Sequence, residues 1–335
     1  MNWGQRNSYC KKRSENDQNG GGCRAQMINS VLVPTDFTIE TEDLLGCIGE
    51  LKNAGLKKVI LLHVVEILRD QGLAPMFERN AREKIEEYAA FVRELELEAK
   101  TLVVVGDVRK TITELAEKED VDCIVMGATT RGIIKGRLLG RTAEYIARKS
   151  KRMLLVEKYD ALKEGKEVYE KACKATFFRV LVPLDFSKEA LRAVKQLSGF
   201  SGITREAVLI HIIDDIEDLD LLDEQIERAL EELKKIGEHL TGIDVRYRVV
   251  EGVPSEEIKR LAEIEEVTLI MLTARGKGII RELLLGSTAE NVLRKTTKPV
   301  LLIPAEKESG EYGEEEGKKE RERGNRSKEE KTEDS

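Results

Sequence analysis

Two aspartates stand where a ligand-binding carboxylate would be useful. Asp36 and Asp185 each close the same strand-like run, Val-Leu-Val-Pro-x-Asp-Phe, at 31–37 and 180–186. In an open parallel sheet, ligands bind beyond the carboxyl ends of strands, and a carboxylate there accepts hydrogen bonds from ribose hydroxyls. Asp is equally suited to capping the following helix by accepting backbone N–H bonds, so both readings stand. A second cluster runs Thr273-Ala274-Arg275-Gly276, then nine residues, then Gly286-Ser287 and a helix. Glycine lets backbone approach a phosphate, and the N–H groups that open a helix attract anions. The competing reading is a capping box, Ser287-Thr-Ala-Glu290, which starts a helix without any ligand. His63 and His211 sit within apolar strands and read as satisfied structural histidines without a catalytic role. The chain contains no Ser-Gly-Gly-x-Asp, His-Ile-Gly-His or Gly-x4-Gly-Lys-Ser/Thr signature of adenylating or ATP-hydrolysing enzymes.

These residues recur because the chain repeats itself. The run ending at Asp36 returns at Asp185, an offset of 149; His63 returns as His211, and Leu138-Leu-Gly140-Arg-Thr-Ala-Glu144 returns as Leu284-Leu-Gly286-Ser-Thr-Ala-Glu290. That is duplication of a whole domain. Within each copy, continuous apolar runs (59–65, 102–105, 123–126 and 153–156 in the first) must be covered on both faces, as in a parallel sheet. Amphipathic stretches at 81–99 and 112–118, with 221–240 in the second copy, supply the helices. The expected architecture is two Rossmann-like α/β domains, each an open parallel five-stranded sheet with helices on both faces, packed as a pseudo-dimer. The last strands, 153–156 and 300–303, are the expected contact between halves.

The expected domains are 27–157 and 177–305, joined by a Lys-, Glu- and Ala-rich linker at 158–176 with helical character. A polar arm (1–26) and a charged tail (306–335) lack the apolar residues needed to offset chain entropy and are expected to be disordered. Met27, directly before the first strand, is an alternative start. With a net charge of −7 and no basic aromatic stripe, nucleic acid is excluded as a partner class. No apolar run approaches the roughly 20 residues that span a bilayer, so the cytoplasm is expected. Five cysteines without a CxxC pair and three histidines make no zinc signature and are expected to be reduced thiols.

Together the Val-Pro-x-Asp-Phe run, the His-Val ending of the second strand and the late glycine loop resemble the universal stress protein family, over nearly all of both repeats. The resemblance implies an ATP-binding site built on Gly-x2-Gly-x9-Gly-Ser/Thr, with the first-strand aspartate near adenosine and the backbone after the second-strand histidine against adenine. Carried across, these are Asp185, Ile212, Thr273, Gly276, Gly286 and Ser287 in the second repeat. In the first they are Asp36, Val64, Gly127, Thr130, Gly140 and Arg141. Neither glycine motif is complete: Thr273 replaces a glycine, and Arg141 replaces the hydroxyl residue. A cation at a helix N-terminus is electrostatically unfavourable, which points to Arg141 as a phosphate clamp as much as a surface residue. The implied function is regulatory, with adenine nucleotide (ATP or AMP, with magnesium) bound more tightly in the second repeat. An unidentified protein partner and further self-association complete the expectation; the alternatives are a ligand-free interaction module and a weak ATP-using enzyme.

Overall fold

The computed structural model describes residues 27–66, 74–128, 139–158, 175–214, 221–276 and 285–305. The expectations for the arm, the tail, Thr130 and linker residues 159–174 lie outside these. The first repeat runs β1 Ser30–Pro34, α1 Ile39–Lys52, β2 Lys58–Val65, α2 Ala74–Glu94, β3 Glu98–Val105, α3 Val108–Lys118, β4 Cys123–Ala128, α4 Arg141–Lys149 and β5 Met153–Lys158. The second repeats that order as β6 Arg179–Pro183, α5 Lys188–Ser198, β7 Glu206–Ile213, α6 Leu222–Gly237, β8 Asp244–Glu251, α7 Pro254–Ile264, β9 Leu269–Thr273, α8 Ser287–Lys295 and β10 Val300–Ile303.

All strands join one ten-stranded sheet, β3-β2-β1-β4-β5-β10-β9-β6-β7-β8. Pairing is parallel within each repeat, and the halves meet where β5 and β10 run antiparallel, with Leu154 opposite Leu302 and Leu155 opposite Leu301. Because successive side chains of a strand point to opposite faces, the sheet has two cores, and each runs unbroken across both repeats. Val33, Leu61, Val125, Leu155, Leu301 and Leu209 belong to the core under α1, α2, α5 and α6. Leu32, Ile60, Ile124, Leu154, Leu302 and Ile210 belong to the one under α3, α4, α7 and α8. On that second face α4 and α8 are cross-linked by ion pairs. Arg148 binds Glu290 (2.6 Å) and Glu144 (3.5 Å), and Arg294 binds Glu290 (2.8 Å) and Glu144.

Three expectations change. The stretch 81–99 is not all helix: α2 starts earlier, at Ala74, and ends at Glu94. Leu95 and Ala99 keep the helical spacing, but Glu96 adopts a left-handed φ of 59°, which ends the helix and redirects the chain into β3. Lys158, expected in the linker, is the last residue of β5; it is buried, and its Nζ donates to the Leu293 carbonyl of α8 at 2.7 Å. Cys47 is disulfide-bonded. Spacing along the chain does not reveal pairings made by tertiary structure, and the partner is not Cys123, a free buried thiol.

Candidate functional site

In each repeat the first strand lies between the second and the fourth, so strand order reverses there and the loops after those strands open into one crevice. The chain takes the same unusual path at both strand ends. Phe37 and Phe186, directly after the aspartates, have φ of 62° and 59°. Bulky residues rarely adopt that region, and holding one there costs about 1 kcal/mol or more. Stacking offsets the cost: the Phe37 ring lies on His63 (centroids 4.2 Å apart) and Phe186 on His211 (4.4 Å). Each histidine Nδ1 faces a carbonyl of the same turn, Thr35 at 2.9 Å and Leu184 at 2.7 Å. A carbonyl only accepts, so Nδ1 carries the proton and donates. The histidines thus bolt the second strand to the turn that presents the aspartate, as satisfied structural residues.

The aspartates do not cap the helices. Asp36 Oδ1 accepts from Thr38 N (3.2 Å) and Thr38 Oγ1 (2.8 Å); Asp185 Oδ1 accepts from Ser187 N (3.0 Å) and Ser187 Oγ (2.5 Å). The N-cap positions belong to Thr38 and Ser187, two residues later. Ser187 completes a relay by accepting the Ala190 N–H at 3.1 Å, whereas Thr38 makes no side-chain cap bond. The helix-capping reading of the aspartates is therefore set aside: each carboxylate is anchored by one oxygen to a neighbouring hydroxyl, half-buried at 185 and exposed at 36.

The capping box is also displaced. Gly286 is the N-cap of α8, and Ser287 is already its first helical residue, exposed and one position too late to cap. The first intrahelical bond is Glu290 N to Gly286 O at 2.9 Å, so the N–H groups of Ser287, Thr288 and Ala289 have no acceptor within the helix. Gly140 and Arg141 hold the same two positions at α4. Thr273 ends β9 with its hydroxyl turned onto its own loop, donating to the Arg275 carbonyl at 2.6 Å. The loop is pinned further by Ala274 N to Ile303 O and by Gly286 N to Ala274 O, both 2.8 Å.

In the second repeat these parts enclose a cavity of about 820 Å³. Its walls bring together Asp185, Ile212, Thr273, Gly276, Gly286 and Ser287, every second-repeat residue singled out from the sequence. They also include Phe186, Asp214, Arg275 and, from α6, Arg228 and Glu232, none of which had been selected. The Asp-Phe pair repeated in both halves was a signal for Phe186; nothing local marks Arg228, because it reaches the crevice only through the packing of α6. In the first repeat Asp36 follows β1, Val64 pairs with Val104 near the end of β2, and Gly127 pairs with Glu157 in β4. With Gly140 and Arg141 at the start of α4, these five hold the equivalent places.

The family model of the universal stress protein family matches residues 27–158 and again 176–304. Among curated relatives, universal stress protein MJ0577 of Methanocaldococcus jannaschii is 33% identical over 152 residues, covering 37% of this chain and 93% of its own. Universal stress protein MJ0531 of the same organism is 28% identical over 168 residues, covering 45% and 94%. A solved universal stress protein from Archaeoglobus fulgidus DSM 4304 aligns with both repeats: 26% identity, TM-score 0.65, covering 83% of this chain and 99% of that one.

Proposed function

This chain belongs to the universal stress protein family, whose domain it carries twice, and from that premise we propose that it is a regulatory protein binding an adenine nucleotide, ATP or AMP, in its second repeat. The observation that carries the reading is the shared cavity: a carboxylate suited to ribose and the open N–H groups of a helix suited to phosphate face the same space. Asp185 receives the ribose hydroxyls, the backbone at Ile212 lies against adenine, and Gly286 and Ser287 hold phosphate at the start of α8. Thr273 and Gly276 shape the loop between them. Among the described residues no three carboxylates, thiols or imidazoles converge to hold a metal, so magnesium arrives with the phosphates. Asp36, Val64, Gly127, Gly140 and Arg141 form the weaker site, where an arginine stands at the helix entry in place of the hydroxyl, and Thr130 is assigned to it from the sequence alone.

Bound nucleotide would alter how the joined repeats meet a protein partner or a second copy of the chain, without a need for turnover. Among the described residues no helix is long and apolar enough to cross a membrane. We place the protein in the cytoplasm, with domains at 27–158 and 177–305. The test is thermal unfolding of the full chain with ATP and magnesium or with AMP. Ligand at 100 times its dissociation constant stabilises by about 2.7 kcal/mol. Asp185→Ala and Gly286→Val should each remove the larger part of the shift and Asp36→Ala the smaller. The reverse ranking would make Arg141 the clamp of the principal site, and no shift with either nucleotide would leave a ligand-free module.

A further inference from the structure

Gly276 has two possible reasons to lack a side chain, and the structure separates them. The glycine-loop reading makes it a place where backbone approaches phosphate. Yet a Cβ built on Gly276 would stand 2.6 Å from Asp185 Oδ2 and 3.6 Å from its Cγ. Even the favourable carbon–oxygen contacts of proteins begin near about 3.3 Å. Neither side of this contact yields freely. The carboxylate is held by Ser187 through two hydrogen bonds, and Ser187 is held in turn by the Ala190 N–H. The loop is held by the Thr273 hydroxyl on Arg275 and by the bonds of Ala274 to Ile303 and Gly286. Gly140, by contrast, has no atom of the described residues, its chain neighbours aside, within 4 Å of where its Cβ would stand.

We propose that Gly276 is a positioning residue for the Asp185 carboxylate: the bare backbone at 276 lets Asp185 stand at the cavity mouth, so recognition of a ligand's ribose diol depends on Gly276. This rests on the nucleotide reading of the cavity. A methyl at 276 pushes the carboxylate off Ser187 or lifts the loop away from α8, and either movement changes the sugar end of the site.

The experiment is a four-protein cycle on the full chain: wild type, Gly276→Ala, Asp185→Ala and the double variant, titrated with adenosine and with ATP plus magnesium. Gly276→Ala should weaken adenosine and ATP by the same factor, about tenfold or more, equivalent to about 1.4 kcal/mol. In the Asp185→Ala background it should change adenosine binding less than about twofold, because the obstructed carboxylate is gone. Loss of ATP binding with adenosine unchanged would overturn the inference and leave Gly276 a phosphate-approach residue, with the nucleotide reading intact. Thermal unfolding of the same proteins without ligand is an independent readout. Gly276→Ala should lower Tm in the wild-type background and much less in the Asp185→Ala background. If wild type binds neither ligand, the nucleotide reading fails and this thermal cycle still decides: equal losses in the two backgrounds would refute the positioning role.

Discussion

At the first strand end the two repeats carry the same chemistry, and at the helix entry they part. Asp36-Phe37 with His63 and Asp185-Phe186 with His211 share the left-handed phenylalanine, the ring stack and the histidine-to-carbonyl bond. Beyond that shared frame, Ser187 relays Asp185 to the helix while Thr38 does not cap, and Arg141 occupies the position of Ser287. The parts that have not diverged hold a strained turn, where any change costs stability in either copy. The parts that have diverged lie where the following helices begin.

The strongest way to break the comparison is to uncouple the repeats. Leu155→Asp, on one face of the β5–β10 joint, or Leu302→Asp, on the other, buries a charge without a partner and should cost more than about 3 kcal/mol. Calorimetry and analytical ultracentrifugation should show a lower Tm and a larger hydrodynamic radius; an unchanged radius and Tm in both would show two halves that do not depend on the joint.

A pH experiment sharpens the comparison, because β5 ends in Glu157-Lys158 where β10 ends in Ile303. Burial, then the nearby Glu50 carboxylate, pushes Glu157 up to about 8, against a small opposing bond from Thr176. Burial likewise raises Glu50 to about 7, against the N–H bonds of Phe177 and Thr176, and lowers Lys158 to about 7. The folded state therefore holds the Glu157 proton more tightly than the unfolded chain does. That contribution to stability is complete below the ordinary value of 4.5 and is lost as pH rises through about 8. Glu157→Gln should match wild type at pH 5 and exceed its Tm at pH 9, each kcal/mol being worth about 2–4 °C in a unit of this size. Lys158 titrates with the opposite sign but is present in both proteins. Equal Tm values at pH 9 would show that Glu157 ionises without cost.

Smaller effects separate the two turns themselves. Ser187→Ala removes a cap and should cost about 1 kcal/mol in chemical denaturation, while Thr38→Ala, which removes no cap bond, should cost no more than about half that. Equal costs would mean that the cap contributes little and the hydroxyl-to-aspartate bond carries both. Smallest is the coupling of Arg148 to Glu290 across the joint. A double-mutant cycle should give about 0.5 kcal/mol, and it should shrink at 1 M salt, where the screening length is about 3 Å. No coupling at low salt would show that this ion pair does not help to hold the halves together.

Much of this is legible in the order of residues alone. Apolar runs buried on both faces announce the parallel strands, and the duplicated Asp-Phe and Gly-Ser/Arg positions mark the crevice, because strand burial and chain turns leave their imprint within a few residues. Local pattern misleads wherever two readings differ by one position. Ser287 and Glu290 have capping-box spacing, yet Gly286 takes the N-cap, with its N–H donated to the Ala274 carbonyl in the loop after β9, a contact that spacing around Ser287 does not record. Ala99 continues a helical period that Glu96 has already ended. Composition makes Lys158 a linker residue, but a carbonyl of α8 lies within reach of its ammonium once the halves are joined. By itself, then, the sequence determined the duplication, the order of strands and helices along each repeat and six of the residues that line the second-repeat crevice. The tertiary structure alone decided that two cores run through one ten-stranded sheet, that each aspartate is anchored to a hydroxyl and not to a helix, and that Gly276 faces Asp185. The sheet joint and the approach of Gly276 to Asp185 are contacts between residues far apart in the chain; the aspartate anchors span only two residues, but they form on a left-handed turn at Phe37 and Phe186 that packing against His63 and His211 holds.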